Sequence, residues 1–400
     1  MVQCVTGPAA SVPAVPVPVL DVCGGLLELF GEVPGREPGG RSGQGTDHPA
    51  AAVLALAAAA VVAGMKGYTA ITGWVADVSA AVLADLYLRA GAIPAGAPSK
   101  TTIWRVLTGA DPEMFDAAVG TWLMNVAGFA APAAGGTLMQ VRLDGKAIRG
   151  AKDADGNQVR LLAALAGPDA AASVVAAQAE VGKKTNEVPM AAVVLGQIDL
   201  KGKIVTADAL HTVKATANHI HEHGGEFVLP VKENRRALFD ALDALPWGQV
   251  PVAHTATDKG HGRITTRTIQ VLPAPDDLPF PHVSQVFLIE RYVTGLHGQP
   301  VSAVAALGVA SPEPGQANAA GLAGYVREQW SIESLHWIRD TLYQEDKSTV
   351  RTRSGPRIMA ALRNLAIGAL HLAGRHDTTE ATRWAGRYID RPFTILGLTS

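Results

Sequence analysis

The chain has 400 residues, of which 48% are hydrophobic, 18% charged and 5% aromatic, with 42 glycines and a formal net charge of −2. That apolar share excludes disorder of the whole chain, and glycines without a three-residue period exclude collagen. The near-zero charge gives no global case for a nucleic-acid partner, so any such surface has to be local. Two cysteines, Cys4 and Cys23, are too few for a disulfide framework or a structural zinc site, and they fit a reducing cytosol.

Residues 1–45 read as a flexible leader rich in proline and glycine, around a short apolar run at Leu26–Phe30. The prolines near the N-terminus and the absence of a preceding basic residue do not resemble a secretion signal. The alanine-rich run Pro49–Met65, with Asp47 as a cap, is shorter than a comfortable membrane span and reads as a soluble helix. The chain is therefore expected to be cytoplasmic, without a membrane partner. Residues 46–132 are expected to form an N-terminal all-α domain of four or five helices, with breaks at Gly64, Gly91–Pro98 and Gly109–Pro112.

After a break at Pro132–Gly136 the pattern changes. Met139–Leu143, Arg160–Ala166 and Ser173–Val181 are predicted strands, Thr185–Ile198 a helix capped by Thr185, and Ile204–Ala207 a strand. His211–His223 follows as a helix and Phe227–Val231 as a strand. Residues 235–310 are mixed and strand-rich. One long helix is predicted from Gln316 to about Tyr343, another over 356–374, and a helical tail over 376–400. The overall class is α/β.

Three acids are singled out by position. Asp144 is predicted to end the first strand, Asp208 to end the fourth, and Glu333 to lie in the middle of the long late helix. A lone aspartate after a strand is ordinarily a turn or cap residue, and a lone glutamate on a helix a solvated charge. Spacing argues otherwise, because three strands, a helix and a return strand fit between Asp144 and Asp208 and allow the first and fourth strands to lie side by side. Trp330, Trp337 and Asp340 share a helical face with Glu333, which suggests packing against the sheet. Carboxylates converging at strand ends suit Mg²⁺, and a pair of such ions is suited to phosphoryl transfer.

The ordered motifs LDGKAIRGA (143–151), KTNEVP (184–189), VTADALHT (205–212), FVLPVKEN (227–234), HGRITTR (261–267) and REQWSIESLHWIRD (327–340) resemble the DDE transposases of bacterial insertion sequences. Within these the resemblance is to the ISAs-type group that includes the H-repeat-associated proteins. GMKGYTAITGW and PSKTTIWRVL resemble the helical domain associated with that family. The resemblance implies an RNase H-like catalytic core over 137–375 with a β-rich insertion at about 235–310. It also implies catalytic, metal-holding roles for Asp144, Asp208 and Glu333. Two Mg²⁺ ions are implied, with Mn²⁺ able to replace them, together with double-stranded DNA as substrate, a homodimer on DNA and a nucleoid-associated location. Two departures stand out: Asp340 occupies a position where related transposases carry lysine, and Ser334 one where asparagine is frequent.

Local charge is compatible with DNA. Lys347, Arg351, Arg353, Arg357, Arg363 and Arg375 follow one another without an intervening acid, and Lys146, Arg149 and Lys152 neighbour Asp144. Lys232, Asn234 and Arg327 are further phosphate-contact candidates, and Trp330 a base-stacking one. His219 and His223 stand one helical turn apart, but no third ligand is nearby, so zinc is not expected. A metal-dependent nuclease that stops at hydrolysis, and a DNA-binding relic without catalysis, remain open as alternatives.

Overall fold

The computed structural model describes residues 25–35, 48–93, 95–130, 138–152, 156–169, 171–182, 187–260 and 262–399. The proposed caps Asp47 and Thr185, the break at 132–136 and the side chain of Lys152 lie outside the described residues. The apolar run of the expected leader is not loose. It forms helix α1 (Leu26–Gly31), whose Phe30 stacks on Phe115 at 5.1 Å, because four of its six side chains are apolar enough to seek the core.

Five helices follow: α2 (Ala50–Val62), α3 (Tyr68–Ala76), α4 (Ala80–Arg89), α5 (Lys100–Gly109) and α6 (Pro112–Val126). Twelve of the thirteen α2 residues are buried. A helix apolar on every side has to be central, and here small alanines allow close approach all round it. Ser79, Ser99 and Asp111 cap the starts of α4, α5 and α6 through their side-chain oxygens.

The strands are β1 (Met139–Lys152), β2 (Gln158–Ala166), β3 (Val174–Glu180), β4 (Lys203–Ala207), β5 (Glu226–Val231), β6 (His254–Gly260), β7 (Arg263–Pro273), β8 (Gln285–Gly295) and β9 (Pro300–Ala310). They form one sheet in the order β3-β2-β1-β4-β5-β9-β8-β7-β6. Among the described residues only the β1–β4 and β4–β5 pairings are parallel, and all five residues of β4 are buried, as expected of a strand inside a sheet. The strand-rich region after residue 235 thus extends the central sheet through the antiparallel β5–β9 pair.

Helix α7 (Glu187–Leu195) links β3 to β4, α8 (Lys214–Glu222) links β4 to β5, and α9 (Arg236–Asp243) follows β5. The single late helix predicted from the sequence is two, α10 (Ala319–Glu328) and α11 (Ser331–Thr341), broken at Gln329–Trp330. Side chains reaching across to the strands hold the break. Arg142 Nε donates to Glu328 O at 2.9 Å, Gln329 Nε2 to Leu143 O at 3.1 Å, and Gln140 Nε2 to Tyr325 O at 2.8 Å.

Helix α12 (Gly355–Leu372) packs on α2, α5, α6 and β3, with α13 (Thr378–Gly386) and α14 (Asp390–Ile395) after it. One hydrophobic core runs through the N-terminal helices, the sheet and α12. At Gly120 the α6 backbone presses so closely on β3 that a β-carbon would stand 2.1 Å from Ala176 O.

Candidate active site

Strand β1 does not end at Asp144. Its parallel ladder with β4 ends at Leu143–Ala207, but the strand continues to Lys152 as a hairpin with β2. Asp144 and Asp208 are therefore the residues directly after the last parallel pair, one on each strand. Asp208 Oδ1 also accepts the Leu210 N–H at 3.0 Å, so it orders the turn at the strand end as well as facing the crevice.

The break at Gln329–Trp330 turns α11 across β1. Successive inward residues of the strand meet successive turns of the helix, since two strand residues and four helix residues span similar lengths, about 6–7 Å. Asp144 Oδ2 lies 3.5 Å from His336 Nδ1, and Lys146 Nζ lies 2.6 Å from Asp340 Oδ2. Glu333 stands exposed in the first turn of α11, not in mid-helix, close enough for its charge to act on Asp144.

Burial raises the Asp144 carboxyl to about 7; the Gly145 N–H opposes this, and the charges of Asp208, Glu333 and Glu187 add to it. Burial and the nearby charges of Arg339 and Lys146 push His336 down to about 3, so its contact with Asp144 is that of a neutral imidazole.

Glu187 is the acid that sequence reasoning missed. It begins α7, and its carboxylate lies over the β1 backbone at Gly145, where a β-carbon would come within 2.7 Å of it. Burial and the Asp208 charge raise its own pKa. The motif KTNEVP contains it, but nothing in the sequence relates that segment to the first strand.

Several expected phosphate contacts have other roles. Lys146 is 9% exposed, with its ammonium committed to Asp340, so it is a buried ion-pair member and not a DNA-facing cation. The same pair accounts for Asp340, which is the anion partner of that buried lysine. Arg357 is buried against Asp116 and Glu113, both at 2.6 Å. Arg363 and Arg339 clamp Glu345 at 2.9 Å. Burial would raise the Glu345 carboxyl, but these two arginines outweigh it and hold the group at about 2. Arg375 lies over Trp384 and pairs with Glu380.

Of the remaining candidates, Arg149 is exposed but reaches Asp346 at 3.5 Å, and Arg327 reaches Asp258 at 3.2 Å. Arg351 donates to Gly150 O, and Asn234 to Ala209 O. Lys347 and Arg353 are exposed, Arg353 with a left-handed φ of 47°. Lys232 is exposed at the end of β5 and lines a cleft of about 920 Å³ beside Asp208, with Trp247, Leu288 and Leu307 as its apolar wall. Trp330 and Trp337 do not pack on the sheet. They are 65% and 66% exposed because Ile332, Leu335 and Arg339 occupy the inward face of α11.

Among the described residues, no three His, Cys, Asp or Glu side chains form a closed coordination cluster. Asp144 feels the charges of Asp208, Glu333 and Glu187, but the four do not form a finished cage. Their oxygen-only donors and mutually reinforced charge fit a hard divalent cation. At the His pair, His223 Nδ1 donates to His219 O at 2.7 Å, as at an ordinary helix end. No single helix among the described residues is long and apolar enough to cross a membrane.

A family model described as the transposase DDE domain matches residues 136–368, and one described as DDE_Tnp_1-associated matches residues 36–123. An uncharacterised protein of the dhlA 3′ region in Xanthobacter autotrophicus is 33% identical over 239 residues, covering 56% of this chain and 73% of its own. YhhI of Escherichia coli strain K12, named as an H repeat-associated transposase, is 24% identical over 340 residues, covering 81% of this chain and 85% of its own. A piggyBac transposase synaptic complex with hairpin DNA overlaps with a TM-score of 0.41 at 8% identity, over 90% of this chain and 75% of that one, a likeness too distant to carry weight.

Proposed function

Since the chain belongs to the transposase DDE-domain family and its function is DNA transposition, we propose that Asp144, Asp208 and Glu333 are its catalytic residues, with Glu187 a fourth carboxylate of the same crevice. The observation that carries this is the register: Asp144 and Asp208 leave the sheet together after Leu143–Ala207, and Gln329 fastens the helix start that presents Glu333 to the carbonyl of that same Leu143. A hairpin of three strands with two parallel strands beside the first is the arrangement of an RNase H-like core, and β6–β9 would be the insertion within it.

The four acids would hold two divalent cations, Mg²⁺ by donor preference, which when bound supply charge neutralisation at the scissile phosphate. The chain's own groups do the positioning. The Gly145 N–H and His336 fix the two sides of the Asp144 carboxylate, and the Lys146–Asp340 pair fixes the strand against the helix. In this reading water attacks the phosphodiester at the element end and releases a 3′-hydroxyl. That hydroxyl then attacks target DNA, with no covalent protein intermediate. Trp330, Lys232, Arg351 and Arg353 border the path of the strand, and the protein acts as a homodimer in the cytoplasm, on the nucleoid. Its motifs support membership of the ISAs-type group.

The test is cleavage and strand transfer on a duplex carrying the element's own terminal sequence, with Mg²⁺ present. Loss of both steps in Asp208→Ala is expected, and full activity in that variant would overturn the assignment.

A further inference from the structure

A second concave site lies away from the acids, where the N-terminal helices meet the segment that follows α11. It is a notch of about 450 Å³, and its wall includes Lys66, Tyr68, Lys100, Gln344, Lys347 and Ser348. The three lysines come from three separate elements: the α2–α3 connection, the first residue of α5, and the turn after α11. No carboxylate lines the notch, and none of the three lysines is paired with a described residue. Helix α3 adds its own partial positive charge. Its first turn forms part of the wall, its N-cap Gly67 brings no side-chain acceptor, and that turn holds no acid.

Three like charges around one notch repel one another, and an anion bound among them would relieve that repulsion. Lys66 is half-buried, so solvent screens it only in part. Two exposed arginines, Arg351 and Arg353, follow its Val350 wall in the chain, so the segment carries more positive charge than one small anion needs. The other end of the same segment is fixed to the acid crevice, by Arg149 on Asp346 and by the buried Glu345 clamp on the Arg339 of α11.

We propose that this notch binds a backbone phosphate of the element-end DNA, so that the N-terminal helical region and the acid crevice hold one strand in fixed register. The inference rests on the transposition reading for its ligand, but not on the catalytic assignment.

The experiment uses the full-length protein and a duplex of the element's terminal sequence, in EDTA so that no chemistry occurs. Fluorescence anisotropy gives affinity between about 50 and 200 mM salt for the wild type and for Lys66→Gln/Lys100→Gln. Loss of this one phosphate contact is expected to flatten the log–log salt slope by about 1 in the double variant, and by up to about 1 in Lys347→Gln. A neutral methylphosphonate at the contacted position should weaken the wild type and leave the double variant unaffected. Unchanged melting temperatures separate this from misfolding, and Lys347→Gln, at an exposed position, keeps the proposal testable if the double variant does not fold.

Unaltered slopes in folded variants would overturn the proposal. Inorganic phosphate alone raising the melting temperature of the wild type but not of the variant, with DNA slopes unaltered, would overturn it in favour of a small-anion site. If the slopes flatten as expected while the wild type performs no strand transfer with Mg²⁺, the catalytic reading fails and the notch stands.

Discussion

Replacing Asp144 by asparagine should make the protein more stable while abolishing its chemistry. The carboxyl is held at about 7, against an ordinary value of 3.8, by burial and by three neighbouring acids. The folded state therefore binds the proton more tightly than the unfolded chain. Stability from this group is fully present below about pH 4, is lost as pH rises, and reaches its minimum above about pH 7. The separation corresponds to about 4 kcal/mol at full strength. With the side chain 27% exposed, a gain of about 2–4 kcal/mol is expected for Asp144→Asn at pH 8, shrinking to about 1 kcal/mol at pH 4.5. Urea denaturation in EDTA at both pH values measures it. Divalent cation should stabilise the wild type at pH 8 and have much less effect on the variant. Equal stabilities at pH 8, or a gap that does not narrow in acid, would refute the reasoning.

Glu187→Gln should raise the cation concentration needed for half-maximal cleavage by about tenfold, without weakening DNA affinity in EDTA. Gly145→Ala should have a similar effect by displacing the same carboxylate, and cleavage titrated with Mg²⁺ checks both. Glu345→Gln leaves two buried arginines without their anion and should cost about 3–5 kcal/mol by denaturation. Because the Glu345 carboxyl is held at about 2, its contribution should persist above the ordinary carboxylate range and disappear only as pH falls through about 2, visible as an acid unfolding transition that the variant lacks. Trp330→Ala should weaken binding of an element end carrying an unpaired terminal base by about 1–3 kcal/mol, with Trp330→Phe retaining most of it; equal affinities would exclude stacking.

What could be read from the sequence was local. The five-residue β4 announces itself as an apolar run, and the 64 positions from Asp144 to Asp208 are enough to foresee the β1–β4 pairing. The continuation of β1 was hidden because Gly145, Lys146 and Arg149 break the apolar pattern, and their partners lie on α7 and on the segment after Glu333. No proline or glycine marks the break at Gln329–Trp330. Hydrogen bonds to strands nearly 190 residues earlier impose it. Charge was the least legible property: Arg357 and Arg363 look identical to Arg351 and Arg353 in the sequence, and only tertiary partners make the first two internal.

The Lys146–Asp340 pair has a consequence for the order of events. It commits Lys146 to the helix, so that ammonium is not free to receive a phosphodiester, and among the described residues the exposed cation nearest the acids is Lys232, at the rim beside Asp208. On the proposed site, a strand approaching Asp144, Asp208, Glu333 and Glu187 without metal would meet mainly negative charge and be held off. Capture of DNA would then fall to surfaces outside the crevice, and cutting would wait on a separate arrival. On that reading the protein would leave uncut the DNA it merely touches, so holding a strand and committing to break it would be two decisions.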